Sequence, residues 1–87
     1  MTGLGPGSEP IIVYTSPGCP DCAAVKHYLA DRGIPFVERD ITASGVAEEA
    51  KSRYGVRVAP ITVIGHSFFY GTFVQQKAQF DLALAAR

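Results

Sequence analysis

Cys19 and Cys22 are the only sulfur nucleophiles in the chain, in the run Cys19-Pro20-Asp21-Cys22. Two thiols three residues apart can close a small disulfide ring across one helical turn, exchange with another disulfide, or offer two ligands to a metal. The flanks favour exchange. An apolar run, Ile11-Ile12-Val13-Tyr14, leads into the pair, and a helix-like run, Ala23 to Arg32, leads away. Cys19 therefore falls where a strand ends and a helix begins, so the helix's free backbone N–H groups and dipole can stabilise a thiolate. Cys22, one turn in, points toward the protein and keeps its proton longer. Pro20 suits the first helical position, where a missing N–H costs nothing. Asp21 is the unusual element. A carboxylate near Cys19 opposes thiolate formation by like-charge repulsion, screened by solvent, and biases the dithiol toward a reductant role.

The elements that must hold this pair can be read from pattern. Pro10 to Thr15 is a buried strand, rich in β-branched and aromatic residues. Ser16-Pro17-Gly18 is a turn. Cys22, Val25 and Leu29 recur at helical spacing, Gly33 ends that helix, and Pro35 forbids its continuation. Phe36 to Ile41 is a second strand, parallel to the first through a right-handed crossover. Thr42 to Tyr54 is a second helix, capped by Thr42 or Ser44, with Glu48 and Glu49 early and Lys51 and Arg53 late. Gly55 closes it. Ile61 to Ile64 is a third strand, Gly65-His66 a hairpin turn, and Ser67 to Tyr70 an antiparallel return. Thr72 and Gln75 have capping-box spacing for a last helix, Phe73 to about Ala86. Of the consecutive Phe68, Phe69 and Tyr70, alternation turns at least one outward, with core packing expected for the other two.

Composition limits the alternatives. The chain has 87 residues, 47% hydrophobic and 18% charged, with eight basic and eight acidic residues. That is one globular α/β domain, four-stranded and mixed, with three helices in the order β-α-β-α-β-β-α, over residues 10–87. Residues 1–9 read as a flexible leader without the pattern of a signal peptide. No basic stripe argues for nucleic acid, and no long apolar segment for a membrane. The reading is a cytoplasmic monomer. In a reducing compartment a persistent structural disulfide is rare, which counts against a static Cys19–Cys22 bond. Zinc wants four ligands in structural sites. Only His27 and His66 remain as further Cys/His candidates, and they are poorly placed. Lys26, Lys51 and Lys77 read as solvated helix charges, Arg57 as an exposed loop charge, and Asp40 as a strand end or cap.

The chain resembles the glutaredoxins and glutaredoxin-like redoxins of the thioredoxin superfamily. The resemblance covers about residues 10 to 87. It rests on Val13-Tyr14-Thr15, the cysteine pair at a strand-to-helix junction, Val58-Ala59-Pro60 before the third strand, and the Gly71 region before the last helix. It implies a thioredoxin-like fold and thiol–disulfide exchange. Cys19 would be the nucleophile and Cys22 the resolving thiol, with Pro20 and Asp21 between them. Pro60 would be a cis-proline facing the dithiol, and Ala59 would offer backbone hydrogen bonds to an extended substrate. Gly71 and Thr72 complete the implied substrate-binding set. Substrates would be protein or low-molecular-weight disulfides, and the electron source a reductase or glutathione, with no cofactor bound. The departures lie at Ser16, where a lysine is common, at Asp21, where tyrosine is common, at Val58-Ala59, and at Tyr70-Gly71-Thr72. They alter most of the glutathione contacts the family implies. The rival reading is an iron–sulfur cluster or metal carrier that uses the same cysteines.

Overall fold

The computed structural model describes residues 10–65 and 67–85. The 1–9 leader and His66 lie outside the described residues. The elements follow the expected order: β1 (Ile11–Thr15), α1 (Pro20–Asp31), β2 (Phe36–Asp40), α2 (Val46–Tyr54), β3 (Ile61–Ile64), β4 (Ser67–Tyr70) and α3 (Phe73–Ala85). One sheet runs β2-β1-β3-β4. β1 pairs parallel with β2 and antiparallel with β3, and β3 pairs antiparallel with β4. β1 and β3 are the inner strands and carry the apolar runs, as strands covered on both faces must.

Side-chain alternation divides the core. Ile11 and Val13 face α1 and α3, where Val25, Tyr28, Leu29, Ile64 and Phe80 complete one cluster. Tyr14, Ile61 and Val63 face the other way and pack with Val46 and Ala50 of α2. β1 is thereby gripped from both sides, and its C-terminal end becomes a fixed platform for the loop that carries Cys19.

α1 ends as its sequence requires. The Gly33 N–H donates to the Ala30 carbonyl and the Ile34 N–H to the Leu29 carbonyl, each at 3.0 Å. This double closure needs a left-handed residue at Gly33, whose φ is 66°. Ile34 then packs on the cluster that contains Leu29.

α2 departs from expectation. It starts at Val46, with Gly45 as a left-handed N-cap at φ 80° and no side-chain cap. Thr42 and Ser44 do not cap it. Asp40 is the reason: its Oδ1 accepts the Thr42 N–H at 2.8 Å and the Thr42 hydroxyl at 2.6 Å. That Asx-type turn competes with helix for the same backbone and delays the helix by about one turn. Asp40 itself ends β2.

The aromatic triplet also differs. Phe69 alone packs into the core, while Phe68 and Tyr70 are 39% and 53% exposed. They share the α2 face of β4, and their rings stack at 6.4 Å. β4 is the edge strand, and the last residue of α2, Tyr54, meets Phe68 there at 5.2 Å between ring centroids, while Tyr70 stays more than half exposed.

Candidate active site

Cys19 is the N-cap residue of α1, in extended conformation at φ −93° and ψ 109°. Its Sγ accepts the backbone N–H of Cys22 at 3.1 Å. Sulfur here takes the place that a serine or aspartate oxygen takes at ordinary helix starts. Pro20 occupies the first helical position. The two thiols differ in access: Cys19 is partly exposed, whereas Cys22 is buried, and both are free. Burial is the main influence that pushes the Cys22 thiol above its ordinary range, and its hydrogen bond with Cys19 adds to it. Bonds from the Ser16 backbone and side chain oppose this in part.

On the β2 side, Cys19 opens onto a cavity of about 430 Å³. Thr15, Lys26, Glu38 and Asp40 line it. Glu38 accepts the Thr15 hydroxyl at 2.7 Å and the Lys26 ammonium at 3.0 Å. These two donors hold its carboxyl below the usual range, with Thr15 the larger influence. Lys26, expected to be merely solvated, is thus an ion-pair partner at the edge of the site.

On the β3 side, the Ala59–Pro60 peptide is cis. Pro60 directly precedes β3, whose Ile61 pairs with Tyr14 near the end of β1. The proline is thus carried to the sheet end from which the cysteine loop departs. Gly71 sits at φ 112°, and a Cβ there would come within 2.5 Å of Gln75 Oε1. Only glycine suits that position. Thr72 begins α3 with the capping box its spacing suggested: its hydroxyl accepts the Gln75 N–H at 3.2 Å, and Gln75 Oε1 accepts the Thr72 N–H at 2.9 Å.

Two side chains in this region have roles that pattern alone does not disclose. Asp21 Oδ1 accepts the Phe73 N–H at 3.1 Å, so one of the two residues between the cysteines caps α3. Gln76, 1% exposed, donates from Nε2 to the carbonyls of Pro60 at 2.9 Å and Gly71 at 3.0 Å. Its Oε1 accepts the Thr62 hydroxyl at 2.7 Å. A signal for Gln76 does exist, since Phe73, Gln76 and Phe80 fall on one helical face. No group of three His, Cys, Asp or Glu side chains that could hold a metal occurs among the described residues. No described helix is long and apolar enough to cross a membrane.

Residues 11–69 match the Glutaredoxin family model. The chain belongs to the glutaredoxin family. Among its curated relatives, an N-acetyl-S-hydroxy-L-cysteine reductase of Bacillus subtilis is 34% identical over 77 residues, covering 86% of this chain and 83% of the relative. A crystal structure of the thioredoxin-like protein BC3987 superposes with a TM-score of 0.68 at 28% identity, covering 79% of this chain and 96% of that one. A buckwheat glutaredoxin–glutathione complex gives 0.70 at 19% identity, covering 93% and 77%. The fold is thioredoxin-like.

Proposed function

We propose that the chain is a thiol–disulfide oxidoreductase that reduces disulfides through the Cys19–Cys22 pair. The observation that carries this reading is the 3.1 Å hydrogen bond from the Cys22 N–H to the sulfur of a partly exposed Cys19, with the second thiol buried one turn behind it. An N–H aimed at sulfur stabilises negative charge on it, and thiolate is the form that attacks. The kinship with a reductase of a small sulfur compound supports the same chemistry.

In this mechanism the Cys19 thiolate attacks one sulfur of the substrate disulfide. The S–S bond breaks, and the departing thiolate takes its electron pair. Cys22 then loses its proton and attacks Cys19 Sγ. The second substrate thiolate leaves, and a Cys19–Cys22 disulfide remains. The substrate gains two electrons, and the protein loses the same two. A low-molecular-weight thiol such as glutathione, or a dithiol reductase, restores the pair. Pro60, Ala59, Gly71 and Thr72 form the substrate-facing wall on the β3 side, and the protein works as a monomer in the reducing cytoplasm. Exchange needs only two sulfurs, whereas a structural metal centre needs more ligands, so exchange is preferred over the carrier reading.

The test is disulfide reduction by three proteins with dithiothreitol as the electron source. Wild type turns over. Cys19→Ser is inactive, and Cys22→Ser, reduced and freed of dithiothreitol before substrate is added, accumulates a covalent adduct with substrate, visible by mass spectrometry. Wild-type rates in Cys19→Ser would refute the mechanism.

A further inference from the structure

We infer that Gln76 is a positioning residue that fixes the substrate-facing wall, and so governs recognition of extended peptide disulfides. The inference rests on the proposed exchange activity. Its basis is one buried side chain that joins three separate segments: the Pro60 loop, the Gly71 turn and β3.

The geometry defines the amide without ambiguity. Two of its contacts, the Pro60 and Gly71 carbonyls, can only accept, so the NH₂ end must face them. The oxygen end then meets the Thr62 hydroxyl, which donates to it. Both donors and the oxygen have partners, and no buried side-chain polar atom among the described residues lacks one. A fully satisfied buried network specifies one arrangement, because any other leaves a donor or acceptor desolvated and alone.

That arrangement bears on recognition. A peptide chain docks on a protein chiefly through backbone hydrogen bonds and needs them at fixed separations. Residues 59–60 and 71–72 belong to different loops, and no strand pairing joins Pro60 to Gly71: the β3–β4 ladder ends at Ile61 and Tyr70. Beyond that ladder, the Gln76 amide bridges the two carbonyls. A small symmetric disulfide meets mainly the sulfurs of the dithiol. An extended peptide must span both loops and feels their spacing.

The test compares a peptide disulfide with 2-hydroxyethyl disulfide as substrates of wild type and Gln76→Met. The methionine keeps the shape of glutamine and removes both donors. The expected result is a five- to tenfold rise in KM for the peptide, roughly the worth of one or two backbone hydrogen bonds, with kcat retained. The ratio of peptide to small-disulfide kcat/KM falls by the same factor. A purely structural role would instead lower the active fraction, reducing both substrates equally at unchanged KM, and that result would overturn the inference. Thr62→Val is the milder second variant. It frees the amide oxygen, and a shift of about twofold in the same ratio is expected. If Gln76→Met does not fold, an unchanged ratio in Thr62→Val overturns the inference alone. If wild type reduces neither disulfide, the exchange reading itself fails.

Discussion

Asp21 and Phe73 are 52 residues apart in sequence, yet the carboxylate of the first accepts the backbone N–H of the second at 3.1 Å. The residue just before the second cysteine is thus a cap for the last helix. A negative side chain at a helix start also complements the helix dipole. One oxygen of Asp21 is engaged by α3, a constraint that the local sequence around the cysteines does not reveal.

Replacing this carboxylate should therefore cost stability as well as alter redox behaviour. Asp21→Ala is expected to destabilise the fold by about 1 kcal/mol, the usual worth of a lost N-terminal cap. Asp21→Asn keeps an acceptor and should lose only part of that. Urea unfolding of the three proteins in the reduced state measures both differences.

The two thiols should label in order. Cys22 is 2% exposed, and burial raises its thiol well above the ordinary range. Brief iodoacetamide treatment of the reduced native protein at neutral pH should add one label, at Cys19. Denaturant should release the second site. Peptide mapping by mass spectrometry decides, and equal native labelling of both would contradict the burial argument.

Acid and alkali should both act through Tyr14 and Glu49. The Tyr14 hydroxyl donates to Glu49 at 2.5 Å, and Arg39 donates to the other carboxylate oxygen. Tyr14 first, then Arg39, holds the Glu49 carboxyl below its usual range. A carboxyl depressed by folding stabilises the native state above its unfolded pKa, about 4.3, and loses that contribution as pH falls through the folded value. Burial, followed by the bond to Glu49, pushes the Tyr14 phenol upward. Its contribution is complete below about pH 10 and declines as pH rises further. In Tyr14→Phe both limbs of the stability–pH curve should flatten, as followed by thermal melts from pH 2 to 11.

Phe80 is completely buried and meets both Tyr28 and Phe69 edge-on or tilted, at 5.4 and 6.1 Å between ring centroids. It joins α1, β4 and α3. Phe80→Ala should cost about 3–5 kcal/mol, enough to unfold much of a small domain at physiological temperature. Calorimetry of the variant against wild type measures it.

The element order was readable because local signals agreed with one another. Pro20 at a helix start, Gly33 before Pro35, and Thr72 three residues before Gln75 each mark a boundary by their own chemistry. α2 was misplaced because Thr42 and Ser44 are good caps in isolation. Asp40, just upstream, takes the Thr42 N–H first. That two of the three aromatics, Phe68 and Tyr70, point away from the core was not legible, because how fully a short helix covers an edge strand is a tertiary fact. The cysteines were legible from spacing and flanks. The partners of Asp21 and Gln76 were not, since they lie on other elements and, for Asp21, 52 residues away along the chain.

The contribution of α3 bears on how far the chain can be shortened. A fragment ending at Tyr70 would keep both cysteines, the cis peptide sequence and all four strands. It would lose Phe80, which is 0% exposed, together with Gln76 and the N–H that Asp21 accepts. Such a fragment would hold both sulfurs on a sheet with one face left half covered, α1 alone remaining where α1 and α3 had packed together. The smallest autonomous unit of this protein is therefore set by the packing of its last helix, well beyond the span that contains its chemistry.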